Sequence, residues 1–137
     1  MFGSVAAIAV ALLSVAGVAA RADEQTAYKV EVQDVIAKVG EHTILLVTLT
    51  PRDGLRVLQH YTNRVSQFSS FDDGVAFQQS MVRGTFQDER LVFSIDVQPT
   101  KPGRHPINGL FRVGYIEGPG KMSMISVPLI ATVTGAE

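Results

Sequence analysis

Hydrophobic and polar residues alternate along most of this chain with a period of two, the spacing that places successive side chains of an extended strand on opposite faces. From Tyr28 to Ala37 (YKVEVQDVIA), Val30, Val32 and Ile36 share one face while Lys29, Glu31 and Gln33 share the other, which predicts a half-buried strand. Lys38-Val39-Gly40-Glu41 reads as a turn. The next run, His42 to Thr50, is apolar on both faces and rich in β-branched residues, as expected of a strand central to a sandwich. Pro51-Arg52-Asp53-Gly54 stops it with a proline and an Asp-Gly turn.

Leu55 to Phe71 carries no single period. Leu55, Leu58 and Tyr61 have a loosely helical spacing, so a short helix, an irregular crossover and a strand all stay open; Phe68 and Phe71 are expected to anchor the stretch in the core. After the turn signal Asp72-Asp73-Gly74, Val75 to Phe86 reads as one strand pairing with Arg90 to Gln98 across Gln87-Asp88-Glu89. The alternation is clearest in the second of these, with Leu91, Phe93, Ile95 and Val97 on one face and Val92, Ser94, Asp96 and Gln98 on the other. Pro99-Thr100-Lys101-Pro102-Gly103 predicts a rigid corner.

Beyond it, Pro106 to Tyr115 and Met122 to Val133 flank a loop containing Gly118, Pro119 and Gly120, the composition of a hairpin connection. Ile107, Gly109, Phe111, Val113 and Tyr115 share the inward face of the first run. Ser123, Ile125, Val127, Leu129, Ala131 and Val133 share one face of the second. About seven short strands punctuated by Gly, Pro and Asp-Gly signals, with no long amphipathic helix, predict an all-β fold: an immunoglobulin-like antiparallel β-sandwich.

A chain of 137 residues fits one such domain, and its N-terminus divides it further. Val5 to Ala20 is almost wholly Ala, Val, Leu, Ile, Ser and Gly, and small residues at Ala20-Arg21-Ala22 precede the polar Asp23-Glu24-Gln25-Thr26. The run is shorter than the roughly 20 apolar residues of a membrane span and ends in an Ala-x-Ala-like cleavage site. Residues 1–22 are therefore expected to be a signal peptide, residues 23–137 a single exported domain, and the destination the periplasm. Met1 to Ser4 departs from the signal-peptide pattern in carrying no Lys or Arg.

Net charge of -1 and the lack of any Lys/Arg run argue against nucleic acid as a partner. With no cysteine, the chain has no disulfide, thiol nucleophile or Cys-ligated metal. Ser-His-Asp, Gly-x-Ser-x-Gly and His-Glu-x-x-His patterns do not occur, and Asp72-Asp73-Gly74 lacks the later ligands of a calcium loop, so an enzyme is not expected and no cofactor is assigned. His105, following Gly103-Arg104, is expected to satisfy a loop carbonyl or to sit at the end of the domain. The residues that would suit copper are the imidazoles of His42, His60 and His105 and the thioethers of Met81, Met122 and Met124, of which Met122 and Met124 fall on one face of a strand. The outward face of the closing hairpin offers a different chemistry. Leu110, Arg112, Met122, Met124 and Ile130, taken with Tyr115, would form a mixed apolar and guanidinium patch of the kind enriched at protein interfaces.

One resemblance bears on this reading. An alternating strand, then Pro99-x-x-Pro102-Gly103-x-His105, a strand ending Gly114-Tyr115, a loop and a final Val127-Pro128-Leu129 strand resembles immunoglobulin-like periplasmic domains such as the N-terminal domain of bacterial thiol:disulfide interchange proteins. The likeness covers Leu91 to Val133. In that family the loop after the tyrosine carries paired redox cysteines; here Ile116 to Met122 has none, so thiol exchange does not carry over. The resemblance implies the fold, the compartment and a non-redox docking role. The expectation is an exported, non-enzymatic protein-binding module serving as an accessory or assembly subunit of a periplasmic or membrane-associated complex, through another protein or self-association. Contact with a membrane would come only through that partner or an uncleaved N-terminal segment. The alternative is a periplasmic copper-binding protein using His42, His105, Met81, Met122 and Met124.

Overall fold

The computed structural model describes residues 27–137; the expected signal peptide, residues 1–22, and residues 23–26 lie outside them. Eleven strands run in the order β1 (Tyr28–Val32), β2 (Val35–Lys38), β3 (Thr43–Pro51), β4 (Leu55–Val57), β5 (Arg64–Ser70), β6 (Val75–Phe77), β7 (Met81–Arg83), β8 (Thr85–Gln87), β9 (Arg90–Pro99), β10 (Gly103–Glu117) and β11 (Lys121–Ala136). They form two sheets. The smaller has the order β1-β3-β9-β6, with β8 also on β9; the larger has the order β2-β11-β10-β5-β7, with β4 also on β10. The described residues contain no helix, and so none long and apolar enough to cross a membrane.

The fold is all-β, a sandwich of two sheets whose inward faces meet in one core. Leu45, Val47 and Leu49 from β3 and Leu91, Phe93, Ile95 and Val97 from β9 face Ile107, Phe111 and Val113 from β10 and Val127, Leu129, Ala131 and Val133 from β11, all buried. The Phe93 and Phe111 rings meet edge to face at 4.9 Å between centroids, joining the sheets at the centre. The closing hairpin is longer than the alternation alone suggests, pairing without interruption from Gly103↔Gly135 to Glu117↔Lys121.

Three segments depart from the sequence reading, two where the chain changes sheet and one at a bulge. Tyr28 to Ala37 is two strands. β1 lies antiparallel to β3, the chain steps across at Gln33-Asp34, and β2 then runs parallel to β11, the one parallel pairing among the described residues in a fold expected to be antiparallel throughout. The step reverses which side chains face inward: Val30, Val32 and Val35 pack on the core, whereas Ile36 is 73% exposed. Val75 to Phe86, read as one strand, is three, because β6 and β8 pair with β9 while β7 crosses to pair with β5. Leu55 to Phe71 resolves into β4 and β5 with a loop between them. In β5 an extra residue opposite Asn108/Leu110 makes a bulge, with Gln67 at φ 56°. The bulge shifts the phase so that Phe68 turns inward and stacks on Phe77 at 5.1 Å, while Phe71 is 75% exposed and not the core anchor expected. β3 does lie between two strands, but Ile44 and Leu46 on its outer face are exposed.

Candidate functional site

The outer face of the larger sheet is assembled by strand register. Cross-strand neighbours in an antiparallel sheet point to the same side, about 4.5–5.5 Å apart at Cα. Leu110, Arg112 and Ile116 on β10 are therefore outward, with Pro128, Ser126 and Met122 beside them on β11 and Met124 opposite Gly114. Met122, Met124 and Ile130 are exposed, Arg112 is exposed and Leu110 half-buried, so five of the six residues of the expected patch share this face. Tyr115 does not. It falls on the inward side of β10 and packs against the core.

Register also adds residues that lie far from Arg112 in the sequence. Arg112 is the partner of Arg64 on β5, and Arg64 is the partner of Arg83 on β7. Three guanidinium side chains thus stand in one row across three strands. The row on one side of them is Leu110, Ser66 and Met81; on the other, Leu58 lies over Gly114 beside Met124. Like charges directly opposed are unfavourable by roughly 1 kcal/mol for a 4 Å separation in water, less as the side chains splay. Among the described residues no carboxylate pairs with any of the three: Arg112 donates to Ser126 Oγ at 3.1 Å and Arg64 to the Thr62 carbonyl at 2.9 Å.

The loop from Leu58 to Asn63 delivers a fourth polar group. Between β4 and β5 no strand faces the β10 backbone at Gly114 on the side away from β11, and the loop supplies partners there. Gly114 N–H donates to Asn63 Oδ1 at 2.8 Å, and Gly114 C=O accepts from Leu58 N–H at 3.1 Å and from the Tyr28 hydroxyl at 2.6 Å. Asn63, itself buried, spends its amide donors on the Leu58 and Tyr61 carbonyls at 3.0 and 3.2 Å. A side chain at 114 would meet Leu58 Cδ2 at 2.9 Å, so glycine lets the loop close onto the sheet. The loop sets Tyr61 against the arginine row, with the Arg64 guanidinium 5.8 Å from its ring centroid. Hydrogen bonding from Arg64, then from Arg112, holds the Tyr61 phenol below the ordinary tyrosine range.

The copper candidates are dispersed. His42 Nδ1 lies 2.8 Å from Asp96 Oδ1 on the smaller sheet. His105 is buried, and its two nitrogens face Asp72 Oδ2 and the Lys101 carbonyl, both at 2.7 Å. Both partners are acceptors, an arrangement that favours the protonated ring; hydrogen bonding to Asp72, then to Lys101, raises the pKa of His105, and the same contact with His105 lowers that of Asp72. This tie fastens the Ser70–Gly74 turn to the Pro99–Gly103 corner, and Gly74 N–H adds bonds to Asp72 and Ser70. It is a structural arrangement, and it includes the loop carbonyl expected for His105. Met81 is on β7, away from the hairpin edge. What does come together is His60, Met122 and Met124, which line one apolar pocket with Leu58 and Tyr61. Among the described residues no group of three His, Asp or Glu could hold a metal ion.

Asn63, Tyr61, Arg64 and Arg83 were not legible as site residues. Nothing in their spacing relates them, since they meet only through the β5–β10 and β5–β7 registers and the loop on Gly114. No protein-family model matches the chain, and no curated protein matches it either.

Proposed function

We propose that this chain is an exported, non-enzymatic module of immunoglobulin-like type that binds another protein, as an accessory or assembly subunit of a periplasmic or membrane-associated complex. The observation that carries this reading is the outer face of the larger sheet, where exposed Met122, Met124 and Ile130 lie beside an arginine row that no carboxylate of the described residues neutralises. Apolar and guanidinium side chains together are the chemistry of protein contact surfaces. The immunoglobulin-like assignment is supported by a first strand divided between the sheets, β1 antiparallel to β3 and β2 parallel to β11. Export and compartment rest on the N-terminal sequence and on the resemblance to periplasmic domains described above.

Site-specific photo-crosslinkers test the reading. Placed at Met122, Met124 and Ile130 in cells of the source organism, they are expected to trap one defined partner, while crosslinkers at Ile44 and Leu46 on the opposite sheet trap none. A protein that stays monomeric and yields no adduct, or the same adducts from both sheets, would refute it.

A second reading, a copper-binding protein, has one observation in its favour: His60 joins Met122 and Met124 around a single pocket. Competition with a Cu(I) chelator decides it. Copper uptake that is lost in the Met122→Ala/Met124→Ala variant would establish this reading in place of the first.

A further inference from the structure

We infer that the Arg112–Arg64–Arg83 row recognises an acidic segment of a partner protein, an extended stretch carrying two carboxylates on one side and apolar residues beyond them. The inference rests on the protein-binding reading and names what the partner must present.

The geometry carries it. Three arginines stand on adjacent strands at directly opposed register positions, with no carboxylate of the described residues to neutralise them. Strands lie about 4.8 Å apart, so the row spans roughly 10 Å. Carboxylates at positions i and i+2 of an extended segment are separated by roughly 6.6 Å, within the span of the row. The Tyr61 hydroxyl already accepts from Arg64 and Arg112, so the carboxylates take the guanidinium donors that Tyr61 leaves, in the forked geometry arginine favours over lysine. Arg64 is positioned for this by its bond to the Thr62 carbonyl and its place over the Tyr61 ring.

Charge and flanks distinguish the occupant from other anions. The chain carries a net charge of -1, so the positive field is confined to the row and offers little to a long polyanion. Leu110 and Met81 on one side and Met124 on the other give the row apolar banks, which a protein partner covers and a nucleic acid backbone leaves idle. Among the described residues there is no helix, so no helix N-terminus stands beside the row to bind a phosphate.

The test uses a fluorescently labelled dodecapeptide of extended, Thr-rich sequence with Glu-Thr-Glu at its centre and Leu at each side, and its Gln-Thr-Gln counterpart, read by anisotropy at low and high salt. Tight binding of the Glu peptide is expected, with a loss of about tenfold or more for the Gln peptide and on raising salt. Arg64→Gln, Arg83→Gln and Arg112→Gln should each weaken binding about three- to tenfold and the triple variant abolish it, whereas Arg90→Gln on the other sheet leaves it unchanged. Thermal melts supply a second readout: relief of like-charge repulsion should leave the three single variants as stable as the wild type or more so. Equal binding by wild type and triple variant, or equal weakening by Arg90→Gln, would overturn the inference. So would preference for inorganic phosphate, a single-stranded oligonucleotide or phosphatidylglycerol vesicles over the Glu peptide. If crosslinks at Met122 and Met124 persist undiminished in the triple variant, the acidic-segment inference fails while the protein-binding reading stands.

Discussion

Replacing Asn63 by alanine should loosen the loop that builds the site, and its cost can be worked from the bonds it removes. The amide side chain serves three backbone groups: it accepts from Gly114 N–H at 2.8 Å and donates to the Leu58 and Tyr61 carbonyls at 3.0 and 3.2 Å. The Gly114 N–H bond is buried, and an orphaned buried group costs about 1–3 kcal/mol. The Leu58 carbonyl also accepts from Tyr61 N–H at 3.3 Å and the Tyr61 carbonyl from the Asn63 backbone N–H at 2.9 Å, so these two add little. The loss is therefore about 1–3 kcal/mol, a sizeable part of the roughly 5–15 kcal/mol that holds a domain of this kind folded. With a urea slope of about 1.5 kcal/mol/M, a loss near the middle of that range lowers the unfolding midpoint by roughly 1.3 M. Amide exchange locates the effect: Gly114 N–H should exchange far faster in the variant, and the Tyr61 phenol, followed by ultraviolet difference titration, should return toward its ordinary pKa as it leaves Arg64 and Arg112. Asn63→Asp keeps the acceptor for Gly114 and so should keep that amide protected even though both donors are lost. A midpoint within about 0.3 M of wild type together with an unchanged Gly114 amide would show that water or a neighbouring group replaces Asn63, and the account of the loop would be wrong.

The His105–Asp72 tie predicts a pH dependence. The folded pKa of His105 is raised, so its contribution is fully present below the unfolded value of about 6.5 and is lost as pH rises through the folded value; Asp72, lowered, contributes above about 3.9 and loses that as pH falls through its folded value. Urea midpoints should therefore fall on going from pH 6 to pH 8.5, and His105→Gln should flatten that slope; an equal slope in both proteins would remove His105 as the cause. Phe111→Ala removes a fully buried ring that packs edge to face on Phe93 and should cost about 3–5 kcal/mol by denaturant titration, against less than about 1.5 for Phe111 exchanged to another large apolar residue that refills the space. At Gly135, an added Cβ would run into the Lys101 carbonyl oxygen, a backbone atom that cannot swing aside. Gly135→Ala should therefore lower the melting temperature by several degrees, more than Gly114→Ala, where the obstacle is the movable end of Leu58.

Alternation by itself determined the two-sheet class, the closing hairpin and the inward faces of β9, β10 and β11, because period-two burial is a local property that each strand carries in its own residues. It also separated Arg112, Met122, Met124 and Ile130 from Phe111, Val113, Val127 and Leu129 before any partner strand was known. It misjudged Ile36, Phe71 and the run from Val75 to Phe86, since a step between sheets or a bulge changes the phase of burial without changing the residues on either side. The arginine row belongs wholly to the tertiary structure. Arg64, Arg83 and Arg112 become neighbours through strand register, and Tyr61 joins them because Asn63 closes a loop onto a glycine that leaves room for it. Register is set by how the two sheets bury their inward side chains together, and no single strand contains that information.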